Sequence, residues 1–153
     1  MGSASLIEAF GLELDRFPKF MKHVGPCPDC PRDCHCKFQF YLAPALAGSQ
    51  IHEHRMAWNA LVRGKKRWLV HVPGTELNVL KNDTITEPVY VWARDTVPWL
   101  RQQGHHFDEF HQFPGEIVLV PDHWMHAIVN VEPSLGFAVE INHVDADVLP
   151  DKH

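Results

Sequence analysis

Two histidines separated by one residue, His52-Glu53-His54, stand in the run SQIHEH, whose alternation predicts a β-strand. Alternate side chains of a strand share a face, so the two imidazoles point together while Glu53 points away. Neutral imidazole is the commonest metal ligand, and two held on a stiff backbone form half of a divalent-metal site. Catalytic metal sites typically take three protein ligands and keep positions open, so a third donor must come from elsewhere. His126 is the natural candidate: in PGEIVLVPDHWMH a strand ends at Pro121 and a short turn leads into the next strand. An HxH pair by itself is also what two solvent-facing histidines would give. The chain carries twelve His, but His23, His35, His71, His143 and His153 show no partner spacing, and His105-His106 follow Gly104 in a loop-like stretch.

A second group of metal-binding type is the cysteine cluster. Cys27, Cys30, Cys34 and Cys36 are all the cysteines of the chain, spaced C-x2-C-x3-C-x-C. Four thiolates suit a tetrahedral zinc site, with His35 as a fifth donor. Structural zinc sites usually draw their ligands from two separated pairs, and C-x-C is tight for that. The alternative is a loop of reduced thiols, because disulfides are disfavoured inside cells.

The elements that must position these groups are short. Residues 4–23 carry Leu6, Phe10, Leu14, Phe17 and Met21 at near-helical spacing, and Pro18 divides them into two short helices. A Pro- and Cys-rich loop follows. From Phe38 the pattern changes to strands: FQFYLAP, SQIHEH, WNALVRG, RWLVHVP, VYVW, FDEFHQF, EIVLVP, HAIVNV and GFAVEIN. Gly64-Lys65 looks like a hairpin turn, and DTVPWLRQQG predicts a short helix with Asp95 as N-cap and Gly104 as stop. About eight strands among these nine runs, at such spacings, point to a β-sandwich or small barrel. The expected organisation is N-terminal helices and Cys-rich loop packed on the barrel (1–37), a β-barrel (38–145) and a tail (146–153).

Composition narrows the function classes. The 153 residues are 45% hydrophobic and 22% charged, which excludes a disordered chain. A formal charge of −5 without any basic tract argues against nucleic-acid binding through a cationic face. No apolar run reaches the roughly 18 residues of a membrane span, and the N-terminus lacks a secretory profile. The expectation is a soluble, intracellular protein, cytoplasmic or nuclear.

PGEIVLVPDHWMHAIVN with SLGFAVEIN resembles the distal metal-ligand strand pair of the Jumonji C (JmjC) family of cupin-type oxygenases. AGSQIHEHRMAWNALVRGKKRW is similar to that family's Gly-Thr segment, HxD pair and W-N-A-L-V-x-G-x-K-R-W run. LDRFPKFMKHV resembles the lead-in of the protein-hydroxylase and arginine-demethylase-like branch. The resemblance implies a mainly β fold, a double-stranded β-helix (cupin or jelly-roll) barrel with short N-terminal helices. It implies iron(II) and 2-oxoglutarate as cofactors and a protein or peptide substrate that is hydroxylated or N-demethylated. His52 and His126 match the first and last iron ligands, and Lys66 matches the residue whose ammonium binds the distal carboxylate of 2-oxoglutarate. Asn59, Ser49 and Asn142 match further co-substrate positions, while the family offers no counterpart to the cysteine cluster. Relatives commonly continue into C-terminal helices, so the chain reads as a minimal version or an incomplete gene product.

The departure lies at the second ligand, where the family has Asp or Glu and this chain has His54. The following loop, Arg55-Met56, is also shorter than in relatives. Three outcomes follow. Three histidines still bind iron(II), or zinc, nickel or copper; or the barrel is catalytically silent and keeps only ligand binding; or a bulge turns Glu53 inward as the ligand. A three-His metal cupin of other activity is a further alternative.

Overall fold

The computed structural model describes residues 37–71 and 85–140. The expected N-terminal helices, the four cysteines, Asn142 and the tail lie outside the described residues.

Period-two alternation and β-branched or aromatic residues give eight strands. They are β1 (Lys37–Ala43), β2 (Gly48–His52), β3 (Ala57–Arg63), β4 (Lys66–His71), β5 (Phe107–Gln112), β6 (Ile117–Val120), β7 (His126–Asn130) and β8 (Ser134–Glu140). They form two four-stranded antiparallel sheets, ordered β1-β8-β3-β6 and β2-β7-β4-β5. At every connection except β4 to β5 the chain crosses from one sheet to the other. This winding is the double-stranded β-helix expected. Between the sheets, Trp68, Val120 and Ile128 pack with Val118 and Trp124. No described helix is long and apolar enough to cross a membrane.

Two local expectations fail for instructive reasons. The first is Gly64-Lys65, which forms a corner between sheets rather than a hairpin: β3 pairs with β6 and β8, and β4 with β5 and β7. Gly64 has φ +97°, and a Cβ there would lie 2.3 Å from the Pro133 carbonyl oxygen and 2.7 Å from Ser134 Oγ. The Lys65 carbonyl accepts the Val131 and Glu132 N–H groups at 2.8 and 3.2 Å. The corner is therefore built against the turn before β8, and its own flanking strands diverge.

The second is VYVW, which is helical despite its β-type composition. Helix α1 (Val89–Val91) runs through one wide turn, Trp92–Thr96, into α2 (Val97–Gln102). Val89, Trp92, Ala93, Val97 and Leu100 pack on Leu69, Ala127 and Val129, covering the outer face of the second sheet. Burying such side chains is worth about 1.5–3 kcal/mol each, which outweighs β propensity. In the wide turn the Val97 N–H donates to the Trp92 carbonyl, five residues back. It falls directly before Pro98, whose ring and missing N–H are incompatible with a regular bond to residue 94. Asp95 lies within this turn and pairs with Arg94 at 2.6 Å; it caps nothing. Gly104, at φ +92°, ends the helix as expected.

Candidate metal centre and its cavity

His52 closes β2, His126 opens β7, and the two are register partners across a break in the β2–β7 pairing. His54 follows past the end of β2. The ring centroids are 4.4 Å apart for His52 and His126, 4.7 Å for His54 and His126, and 5.3 Å for His52 and His54. One nitrogen from each lies within 4.8 Å of the others. No Asp, Glu or Cys among the described residues joins the group, and Glu53 is exposed outside it.

All three rings are oriented in the same way. The Nδ1–H of His52 donates to the Gln50 carbonyl at 2.6 Å, that of His54 to the Arg55 carbonyl at 2.5 Å, and that of His126 to the Trp124 carbonyl at 2.8 Å. A carbonyl only accepts, so Nδ1 carries the proton and the neutral ring keeps its Nε2 lone pair. Metal-ligating histidines are commonly held by such bonds. Burial pushes the His126 imidazole down to about 4 and also lowers His52. Both are therefore neutral at pH 7, the state in which imidazole coordinates an ion. Trp68 stacks on His126 at 5.8 Å between centroids and closes one side of the group.

The histidines form part of the wall of a cavity of about 240 Å³ between the sheets, which Tyr41, Ser49, Asn59, Lys66 and Asn130 also line. Lys66 pairs with Asn130 in the β4–β7 register, four residues along β7 from His126. At a strand rise of about 3.3 Å per residue, its backbone lies roughly 13 Å along the sheet from the histidines. Lys66 is 5% exposed, and no carboxylate among the described residues pairs with it. Its Nζ stands 3.9 Å over the Tyr41 ring, and burial lowers its pKa to about 8. The Tyr41 hydroxyl donates to Asn59 Oδ1 at 2.8 Å, with the Ala60 carbonyl 3.1 Å away, and burial raises its pKa. Asn130 Nδ2 donates to the Pro44 carbonyl at 3.2 Å, leaving its buried Oδ1 without a protein partner.

The donor set suits a divalent ion, because three imidazoles each offer a nitrogen within 4.8 Å of the other two. A buried, unpaired ammonium suits an anion that enters the cavity. The structure thus brings His52, His54 and His126 together and places Ser49, Asn59 and Lys66 on the same cavity. Sequence reasoning missed Tyr41 and Asn130. The inward alternation of FQFYLA and HAIVN was the available signal, since Tyr41 falls opposite Gly136 and Asn130 two positions inward from Ile128.

Comparison with known proteins adds to this geometry. The family described as "JmjC domain, hydroxylase" matches residues 39–141. Human JmjC domain-containing protein 8 is 28% identical over 114 residues, covering 74% of this chain and 41% of that protein. The bifunctional arginine demethylase and lysyl-hydroxylase psr-1 of Caenorhabditis briggsae is 30% identical, covering 68% of this chain and 28% of the relative. The 2-oxoglutarate and iron-dependent oxygenase JMJD4 of Gallus gallus is 31% identical, covering 67% and 25%. The chain therefore spans less than half the length of these relatives.

Proposed function

The chain belongs to the JmjC-domain hydroxylase family, and from that premise we propose that it is an iron(II)- and 2-oxoglutarate-dependent dioxygenase that hydroxylates or demethylates a protein side chain. The observation that carries this reading is the pairing of three converging imidazoles with a buried, carboxylate-free lysine on one cavity. His52, His54 and His126 would hold the ion. Lys66, Asn59 and Ser49 would hold the co-substrate, with Asn142 added on resemblance. Bound there, iron(II) would activate dioxygen, the oxidant, and 2-oxoglutarate, oxidised to succinate and CO2, would take up one oxygen atom while the other is inserted into a substrate C–H bond.

The chain's own residues prepare the site. The Nδ1–H bonds hold each imidazole in one tautomer and limit its rotation, which reduces the reorganisation needed when an ion arrives. At neutral pH Lys66 is still largely protonated, and an incoming carboxylate relieves the cost of its burial. Tyr41 and Asn59 hold one another, which keeps the wall beside Lys66 rigid. The names of the relatives support a protein substrate, and the net charge of −5 suits a basic peptide.

The wholly neutral donor set favours a second reading. With His54 in place of a carboxylate, the centre carries one more positive charge than two His and an acid would give. That suits a metal- or ligand-binding barrel without oxygenase turnover, or a three-His cupin of other activity. Succinate release from 2-oxoglutarate, measured with iron(II) and ascorbate, separates the readings. Turnover well above that of a His126→Ala variant is expected of the oxygenase. Equal rates, with both substances bound by the unaltered protein, would make it a silent binder.

A further inference from the structure

We propose that Asp122, in the turn between β6 and β7, is a positioning residue that locks His54 into the donor set; this rests on the reading of His54 as a metal ligand. His52 and His126 are held by strand pairing, whereas His54 lies in the four-residue connection between β2 and β3 and has no ladder to fix it. Two long-range hydrogen bonds from the 121–124 turn do so instead. The Met56 N–H donates to Asp122 Oδ1, and the His123 N–H donates to the His54 carbonyl at 2.9 Å. His123 adopts φ +60°, a left-handed conformation uncommon outside glycine, which the turn maintains.

The decisive feature is a single peptide plane. The Met56 N–H and the Arg55 carbonyl belong to the same planar, trans peptide unit and point in opposite directions. Asp122 takes the N–H side, and the Arg55 oxygen on the other side accepts the His54 Nδ1–H at 2.5 Å. Orientation is therefore passed from the Asp122 carboxylate through one rigid plane to the imidazole, leaving Nε2 aimed at the group. The shortness of the Arg55-Met56 loop is what lets one carboxylate control it. Asp122 is itself exposed and stands outside the three-His group, so it touches no ion.

The test uses the whole chain and cobalt(II) chloride, titrated while the visible absorption of the bound ion is recorded. Asp122→Ala should weaken cobalt affinity by roughly tenfold, the lower range for groups that orient metal ligands, and change the band shape. Asp122→Asn keeps an oxygen acceptor and should bind close to wild-type. In a His54→Ala background, Asp122→Ala should cost nothing more, since the ring it orients is gone. Wild-type affinity in Asp122→Ala overturns the proposal, as does an undiminished loss in the His54→Ala background, which would mark a purely structural role. Asp122→Ser is a second truncation should the alanine variant not fold, and loss of fold in both overturns a local role. Failure of the wild-type chain to bind cobalt overturns the His54 reading itself and the proposal with it, an outcome distinct from the other three.

Discussion

Replacing Lys66 by Met tests whether the cavity keeps a buried cation for an anion to neutralise. Burial lowers the lysine from its ordinary 10.5 to about 8, and at about 1.4 kcal/mol per pH unit the gap is worth about 3 kcal/mol. The Tyr41 ring beneath Nζ returns about 1 kcal/mol, so the net cost of the charge is about 2 kcal/mol. Below pH 8 the folded and unfolded chains both hold the proton, and the cost is fully present. Between pH 8 and 10.5 the folded chain sheds it while the unfolded chain retains it, so stability rises with pH. Methionine matches the shape and carries no charge. The metal-free Lys66→Met variant should therefore melt roughly 4–8 °C above the wild type at pH 7. That advantage should shrink as pH climbs from 8 to 10.5. Adding 2-oxoglutarate or succinate at pH 7 should raise the wild-type melting temperature and leave the variant unchanged. A variant less stable than the wild type, or an advantage independent of pH, would refute the idea of an uncompensated buried charge.

Two further substitutions probe the site and its walls. His54→Asp supplies a hard oxygen donor and one negative charge. It should tighten iron(II) binding by tenfold or more and raise 2-oxoglutarate turnover without prime substrate, both readable by titration and succinate assay; no change in either would mean that the cavity, not the ligand, limits activity. Gly136→Ala would place a Cβ 2.2 Å from the Ala60 carbonyl oxygen and 2.2 Å from the Tyr41 hydroxyl. Because one of these neighbours is backbone, a loss of about 3 kcal/mol or more is expected, and an unshifted urea midpoint would show that β1, β8 and β3 are not packed this closely.

Much of this arrangement was legible beforehand because it depends on local periodicity. The alternation of SQIHEH pointed to His52 and His54 as neighbours, although β2 ends at His52 and His54 is held by bonds from the 121–124 turn. The Pro-containing pairs Pro114-Gly115, Pro121-Asp122 and Pro133-Ser134 fall at the boundaries between β5, β6, β7 and β8. What stayed hidden depends on partners distant in the chain. VYVW was misread because Val, Tyr and Trp favour strands, while the spacing of Val89, Trp92, Ala93, Val97 and Leu100 is interrupted by the wide turn before Pro98. Gly64-Lys65 carries a turn signal that is the same whether the flanking strands pair or part. For Tyr41 and Asn130 strand alternation signals only an inward face; the bonds that define their roles and that of Asp122 span 18, 86 and 66 residues and leave no local pattern.

The strand order also bears on how the molecule comes into being. β8 occupies an inner position between β1 and β3, and β7 one between β2 and β4, so both sheets are completed by strands made late in synthesis. At about 5–20 residues per second on the ribosome, β1 and β3 wait several seconds with open edges for the strand that will join them. His126 opens β7, itself one of these late strands, so the third imidazole joins His52 and His54 only after most of the described chain has been made.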